Sequence, residues 1–273
     1  MYHCVMVSSV AKVIPEAVAV QQRIEVDLPS TDASPQPKRT SIPDRRNGIY
    51  FLKFQDQDYR LPSVTSITSE AMPKPQLMSW AARTAARAAL NDPTMTEEQA
   101  MAVIYQSKAA GGDRGALIHD FAEASDNGHT PDINSVPEAF RGYAQAFLKF
   151  QNDITPRLVM NEQRVANFTH GYAGRLDRIY DIKGELWLVD YKTSKDYYPE
   201  MGLQLAAYKN AEFTFKLGGE YTPMPKVART AIVLLSETGT YTLKETDEQL
   251  EVFMALKKIW LWLNADKLKR LNT

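Results

Sequence analysis

The sequence contains a single cysteine, Cys4, which excludes an internal disulfide and any metal cluster that several thiolates hold. Long apolar runs are also missing, because runs such as residues 231–235 and 260–263 fall far short of the roughly 20 residues that cross a bilayer. We therefore expect no membrane-spanning helix and no membrane partner. The N-terminal segment has no basic region ahead of an apolar one and no arginine-rich face, so we expect no targeting signal and a cytoplasmic protein.

An excess of charge of one sign is missing too, because 32 Lys and Arg face 33 Asp and Glu, for a formal net charge of −1. A protein that bound nucleic acid over its whole surface would usually be strongly basic, whereas an enzyme that holds a few phosphates in one groove needs only a local basic patch. The charge balance therefore neither supports nor excludes a nucleic-acid substrate. The rest of the composition, 44% hydrophobic over 273 residues, is typical of a globular protein with a sizeable core.

Two kinds of sequence divide the chain. Residues 28–47 are rich in Pro, Ser and charge and have no apolar periodicity, which predicts a disordered tail over residues 1–45 and one domain over residues 46–270. Apolar spacing in the domain predicts a strand pair at 49–54 and 58–67, helices at 75–90, 96–110, 114–125 and 137–154, strands at 158–168, 174–182 and 185–192, a helix at 201–212, strands at 227–235 and 240–244, and a helix at 247–264. We expect an α/β or α+β fold with a mixed central β-sheet flanked by helices and a helical N-terminal half.

The segment over residues 171–195 carries the chemistry. A two-residue turn at 183–184 sets a hairpin register in which Asp177 lies directly opposite Asp190. Facing residues of an antiparallel pair have Cβ atoms about 4.5 to 5.5 Å apart, and like charges there destabilise the sheet. A divalent cation between the two carboxylates would remove this repulsion.

Lys192 follows Asp190 by two residues and therefore projects from the same face of the strand, while Tyr191 points to the other face and leaves its carbonyl near the metal. Two carboxylates, a carbonyl and water form the oxygen shell that Mg²⁺ or Mn²⁺ prefers. Such a metal would lower the pKa of a bound water and polarise a phosphodiester, and the lysine would orient that water or offset charge on the phosphate. This pattern predicts metal-assisted phosphodiester hydrolysis.

The structural alternative is a surface hairpin with scattered charges. An Asp-x-Lys triplet alone is weak support for a site, and residues 181–183 repeat it at the turn without an opposed acid. Residues 186–189, however, are apolar on both faces and so indicate a buried central strand. A buried strand does not carry Asp190 and Lys192 without a reason, which favours the site.

Three sequence motifs resemble a known family: GRLD at residues 174–177, VDYKTS at 189–194 and QLAAY at 204–208. They look like the core of the RecB-like branch of the PD-(D/E)XK nucleases, which includes phage recombination exonucleases and the mitochondrial genome maintenance exonuclease. Segments at 61–67, 73–81 and 114–123 fit as well, so the resemblance covers about residues 48–243. It implies a restriction-endonuclease-like core and a DNA exonuclease of recombination, repair or replication, with a phage-encoded enzyme as one option.

The resemblance also implies roles for individual residues. The implied set is Asp177 and Asp190 as metal ligands, His119 as a further ligand from a helix, Lys192 as the catalytic lysine, Gln204 and Tyr208 as a helix motif beside the site, and Glu162 as an acidic position ahead of the GRLD strand. Each has a structural alternative: a satisfied core histidine, the polar end of an amphipathic helix, or a surface charge. Members of the branch with an iron-sulfur cluster hold it with four cysteines, so we expect no such cluster here.

A substrate-binding surface is expected near the catalytic strand. Arg83 and Arg87 lie one helical turn apart, Trp80 precedes them and Lys195 follows the strand, which could provide phosphate contacts and a stacking platform for DNA, single- or double-stranded. The alternative is a solvated helix face with Trp80 in the core. Basic residues of the tail would add nonspecific attraction to DNA: Lys38, Arg39, Arg45 and Arg46. A recombination or single-strand-binding protein is a further expected partner.

Two other functions are compatible with the motifs. A non-catalytic nucleic-acid-binding module could keep the same fold, although Asp177, Asp190 and Lys192 are all present. A glycoside hydrolase could use the two aspartates as its paired carboxylates, but it needs no metal and leaves the lysine without a role. Sensitivity to a chelator separates these readings.

Overall fold

The computed structural model describes residues 44–55, 57–216 and 220–270 and contains both helices and strands. The strands are β1 (Asp44–Arg46), β2 (Ile49–Phe54), β3 (Gln57–Pro62), β4 (Arg157–Asn161), β5 (Arg164–Asn167), β6 (Tyr172–Arg175), β7 (Arg178–Ile182), β8 (Glu185–Lys192), β9 (Phe213–Phe215), β10 (Tyr221–Pro223), β11 (Arg229–Leu235) and β12 (Tyr241–Glu245). The helices are α1 (Val64–Ala71), α2 (Pro75–Asn91), α3 (Glu97–Asp126), α4 (Arg141–Ile154), α5 (Pro199–Lys209), α6 (Leu250–Leu263) and α7 (Ala265–Arg270). Every helix in the described ranges is too short or too polar to span a bilayer.

The central sheet has the strand order β12-β11-β8-β7-β4. It is mixed, because β8 and β11 run parallel while the other neighbours are antiparallel. Side chains of β8 alternate between two cores: Leu188 packs with residues of α1, α5 and α6, whereas Val189 and Tyr191 pack with residues of α3 and α4. Helices therefore cover both faces of the sheet, which confirms the predicted fold class and the buried central strand.

The β7–β8 hairpin has the predicted register, with Ile182 opposite Glu185 and Arg178 opposite Val189. Its two turn residues both have positive φ, 55° at Lys183 and 86° at Gly184. That conformation is the type I′ turn, whose twist matches the twist of the paired strands. The ladder ends at the pair of Arg178 and Val189, one residue before the two aspartates of the site.

Two predicted strands are each divided in two, and both predictions were wrong in the same way. The strand expected at 158–168 breaks at Glu162, whose φ is 47°, and the strand expected at 174–182 breaks at residues 176–177. After each break the chain belongs to a different sheet, because β5 and β6 lie in a four-stranded sheet of order β10-β9-β5-β6. The breaks place Glu162 and Asp177 at the junction of the two sheets.

Three other predictions need correction. The strand expected over 58–67 ends at Pro62, and the next residues form α1, where buried Val64 and Ile67 are spaced as on one helical face. The helices expected at 96–110 and 114–125 are one 30-residue helix, α3, which continues through Gly111 and Gly112. The strands β9 and β10 were not predicted.

Most of the predicted tail lies outside the described residues. Its basic residues Lys38 and Arg39 belong to this part. Strand β1 includes Asp44 and Arg45, which the sequence had assigned to the tail. It pairs antiparallel with β2 in a three-stranded sheet of order β1-β2-β3. The predicted boundary between a disordered tail and the domain at residue 46 otherwise stays a prediction.

The helical N-terminal half includes an arm, defined here as residues 75–113. Helix α2 has no buried residue, and the buried residues of α3 are Ile118, Phe121 and Ala122, all after the arm. The two helices contact each other along the arm. The second part of α3 packs on the central sheet and brings His119 to it.

Candidate metal centre and active site

Three predicted ligands meet at the carboxyl end of β8. Asp190 comes from β8, Asp177 from the break between β6 and β7, and His119 from α3, and their ligand atoms all lie within 4.8 Å of one another. The central sheet thus positions side chains that are far apart in sequence. The arrangement offers two carboxylates and one imidazole to a single cation.

His119 is held between Asp177 and the backbone of β8. Its Nε2 lies 3.1 Å from the carbonyl oxygen of Tyr191, and its Nδ1 lies 3.5 Å from Asp177 Oδ2. A proton on Nε2 donates to that carbonyl and leaves the lone pair of Nδ1 directed at the carboxylates. Burial lowers the pKa of His119, although the charge of Asp190 acts the other way. The neutral imidazole that metal binding requires is therefore favoured.

The Tyr191 carbonyl lies beside the site, as the strand alternation predicts, and its ring packs in the core on the other face. One lone pair of this carbonyl oxygen accepts the hydrogen bond from His119. A carbonyl oxygen has two lone pairs, so this hydrogen bond is compatible with a contact to a cation.

The carboxylates fit a divalent cation. Asp190 is 3% exposed, and its Oδ1 is buried without a hydrogen-bond donor from the described residues, as is Asp177 Oδ2. Burial, together with the charge of Asp177, raises the pKa of Asp190 to about 8. Buried carboxylate oxygens without donors are costly unless an ion or a proton compensates them. An oxygen-rich set of this kind suits Mg²⁺ or Mn²⁺.

Lys192 lies on the same face as Asp190, and its Nζ is 2.5 Å from Asp190 Oδ2. Burial alone would lower the pKa of Lys192, but the carboxylates of Asp190 and Asp177 raise it above its ordinary value. The lysine is therefore cationic at neutral pH. It lines a cleft of about 590 Å³ together with His119 and Asp177.

Gln204 and Tyr208 lie beside the centre on α5. Gln204 Nε2 donates to the Tyr208 hydroxyl oxygen at 3.1 Å, and both residues line a second cleft next to Asp177. Tyr208 packs against the backbone of β6 at Gly174, where an added Cβ would lie 2.4 Å from the ring. Only glycine allows this close approach.

Glu162 lies on the wall of the first cleft and is not one of the three converging ligands. Its Oε2 lies 2.9 Å from Arg175 Nε, and its Oε1 accepts a hydrogen bond from Arg178 at 3.3 Å. Its backbone N–H donates to the carbonyl oxygen of Asp177 at 2.7 Å. Burial raises the pKa of Glu162, although both arginines act the other way.

Arg178 is a site residue that sequence reasoning missed. It is fully buried, its Nε donates to Asp126 at 2.8 Å, and its Nη2 donates to the carbonyl oxygen of His119 at 3.2 Å. Asp126 also accepts from the Tyr180 hydroxyl at 2.8 Å. This network ties α3 to β7 under the metal centre. A signal was present, because Arg178, like Asp190, is a charged residue in a strand of apolar neighbours.

Three of the four expected DNA-binding residues line one cleft. Trp80, Arg83 and Lys195 border a cavity of about 830 Å³ between α2 and the loop after β8. Trp80 is partly buried, and Arg83 and Lys195 are exposed. Arg87 is exposed one turn further along α2 and does not line this cleft.

Comparison with known proteins identifies the family. The model of the PD-(D/E)XK nuclease superfamily matches residues 79–253, which include the aspartates, the lysine and the histidine of the centre. The chain therefore belongs to this superfamily.

One solved structure similar to the chain is titled "Crystal structure of SSO0001". It shares 17% sequence identity, with a TM-score of 0.27, over 47% of this chain and 62% of the other. The chain thus spans less than two thirds of the length of that protein. No curated protein sequence matches the chain.

Proposed function

We propose that this protein is a Mg²⁺- or Mn²⁺-dependent exonuclease that hydrolyses phosphodiester bonds in DNA. The observation that carries the proposal is the convergence of the ligand atoms of His119, Asp177 and Asp190 within 4.8 Å of one another. Lys192, on the same strand as Asp190, lies beside them. The superfamily supports nuclease chemistry. The resemblance of the GRLD, VDYKTS and QLAAY motifs to the RecB-like branch supports exonuclease action in recombination, repair or replication, with a phage-encoded enzyme as one option and cytoplasm as its location.

The protein groups have separate tasks in this reaction. His119, Asp177 and Asp190 would hold the cation, with the Tyr191 carbonyl orienting the imidazole. When bound, the metal supplies Lewis acidity and a water of lowered pKa. The Lys192 ammonium offsets the negative charge that gathers on the phosphate and donates a hydrogen bond to the attacking water or to a phosphate oxygen.

The substrate strand would enter from the cleft beside the arm. Arg83 and Lys195, which line this cleft, would contact phosphates there, and a base would stack on the Trp80 ring. Arg87 extends the same basic helix face by one turn. We include a recombination or single-strand-binding protein as a partner in this proposal.

The test is digestion of end-labelled single- and double-stranded DNA with Mg²⁺, with Mn²⁺ or with a chelator. Wild type should release nucleotides from DNA ends only when metal is present, and closed circular DNA should resist. Asp190→Asn should cut nothing, whereas the matched control Asp181→Asn should retain activity, because Asp181 pairs with Arg157 at the far end of the hairpin. Digestion that survives the chelator would contradict the metal mechanism, and cutting of circles would contradict exonuclease action.

A further inference from the structure

Two arginines face each other next to the metal centre. Arg164 of β5 is the cross-strand partner of Arg175 of β6. Like charges directly opposite each other destabilise a sheet, so this pair needs a compensating group. The ladder continues with the hydrogen bond from Glu162 N–H to the Asp177 carbonyl. Only Leu176 separates Arg175 from Asp177 in the sequence, so the arginine pair lies next to the metal centre.

The positive charge of this pair is only partly compensated. Arg175 lies 2.9 Å from a Glu162 oxygen, but no carboxylate within the described residues lies at ion-pair distance from the partly buried Arg164. In the central sheet, by contrast with Arg164, the arginines each have a carboxylate partner: Arg157, Arg178 and Arg229. One guanidinium group is therefore left for an external anion.

A third arginine and several neutral donors complete the surroundings. The second cleft, which Gln204 and Tyr208 line, has a volume of about 550 Å³ and is also lined by Arg45, Arg164, Arg175 and Tyr50. Arg45 Nη2 donates to Ser66 Oγ at 3.3 Å. The three arginines line the same cleft as Tyr50, and their charges partly oppose the rise that burial causes in the pKa of its hydroxyl.

We propose that Arg164, Arg175 and Arg45 form a binding site for a backbone phosphate of the DNA strand that is being cut. A phosphate between the arginines removes their mutual repulsion, as a cation does for the opposed aspartates. The planar guanidinium group suits phosphate oxygens because it donates two parallel hydrogen bonds. Arg164, Arg175 and Asp177 line both the cleft with Lys192 and the cleft with Tyr208, whereas the Lys195 cleft shares no lining residue with these two. In this proposal the arginines and Lys195 contact different phosphates of the same strand.

This inference rests on the proposed nuclease function and is tested by the salt dependence of DNA binding. The full-length chain with a chelator, which prevents cutting, is titrated onto a dye-labelled single-stranded oligodeoxynucleotide at several salt concentrations, and binding is followed by fluorescence anisotropy. Arg164→Gln should weaken binding and make the slope of log K against log salt shallower by about 0.7, the loss of one phosphate contact. Arg157→Gln is the matched control, because Arg157 is 73% exposed and paired with Asp181, and its slope should equal that of wild type.

Thermal melts without DNA separate a binding role from a structural one. Arg164→Gln removes one of two opposed like charges, so its Tm should be at least that of wild type. An unchanged salt slope in a variant that folds normally overturns the proposal. If Arg164→Gln melts below wild type, Arg45→Gln decides, because Arg45 is exposed: a shallower slope supports the site and a wild-type slope overturns it. Wild type that binds no DNA would refute the nuclease proposal itself, whereas wild type that binds and cuts while the arginine variants keep its slope refutes this site alone.

Discussion

Replacing Asp190 by asparagine should remove a large pH dependence of stability from the metal-free protein. Burial and the charge of Asp177 raise the pKa of Asp190 from 3.8 to about 8, and this value already includes the attraction of Lys192. Between these pH values the folded state holds a proton that the unfolded chain releases, so stability falls as pH rises through the window. The pKa difference corresponds to on the order of 6 kcal/mol, at about 1.4 kcal/mol per pKa unit.

Asparagine keeps the shape of the side chain and cannot ionise. Near pH 4 the metal-free variant and wild type should therefore have similar free energies of unfolding, and above pH 8 the variant should be the more stable by several kcal/mol. Urea unfolding in chelator across this range measures the difference. The control Asp181→Asn should keep the wild-type slope across this range, because the hydrogen bond with Arg157 lowers the pKa of Asp181 from 3.8, below the window.

Added Mn²⁺ should stabilise wild type, whereas rising pH destabilises the metal-free protein. A cation that binds only the folded state stabilises wild type by about 2.7 kcal/mol at a hundredfold excess over Kd. Because the cation must displace the proton of Asp190, this gain should grow as pH rises towards 8. Asp190→Asn should gain little. Two results would refute the reasoning: a wild-type pH dependence in the metal-free variant, or a full Mn²⁺ shift in it.

The local sequence was sufficient to predict the β7–β8 hairpin and the position of Asp190 in it. The turn at residues 183–184 fixes the register, and a period of two fixes which side chains share a face, so no distant contact is needed to place Asp190 and Lys192 together. The convergence of His119 on the same point is different. It depends on packing between α3 and the sheet, and the sequence predicted it only through resemblance to a family.

The breaks at Glu162 and Asp177 could not be predicted from periodicity. Apolar residues continue on both sides of each break, since Val165 is as deeply buried in its sheet as Ile179 is in the central sheet. Which sheet a strand joins is decided by its partners, and one of the two partners of β5 in the second sheet, β9, comes some 50 residues later. The sequence therefore predicted straight strands where the chain bends to build the site.

The partners of the arginines near the site could not be predicted from local sequence either. Arg178 and its partner Asp126 are 52 residues apart, and Arg164 faces Arg175 only because both strands leave the central sheet. A charged residue in an apolar strand signals that some partner is needed. It does not say whether the partner is a carboxylate within the fold or a phosphate outside it.

Three further substitutions test the catalytic residues and the helix that carries one of them. His119→Ala should lower metal affinity as well as rate, measured by titrating activity with Mn²⁺; unchanged affinity would make His119 structural. Lys192→Ala should abolish cleavage, while Lys183→Ala, at the exposed turn, should leave it nearly intact. Equal losses in the digestion assay would contradict the assignment of the catalytic triplet to residues 190–192. Gly112→Ala should raise the free energy of unfolding by about 0.8 to 1.0 kcal/mol, because glycine is that much less favourable than alanine inside a helix. An added Cβ at Gly112 meets nothing within 4 Å, so the native structure gains no strain and the cleavage rate should not change. A variant that unfolds at higher urea yet cuts more slowly would contradict this, and would mean that α3 must bend near Gly112 during the reaction.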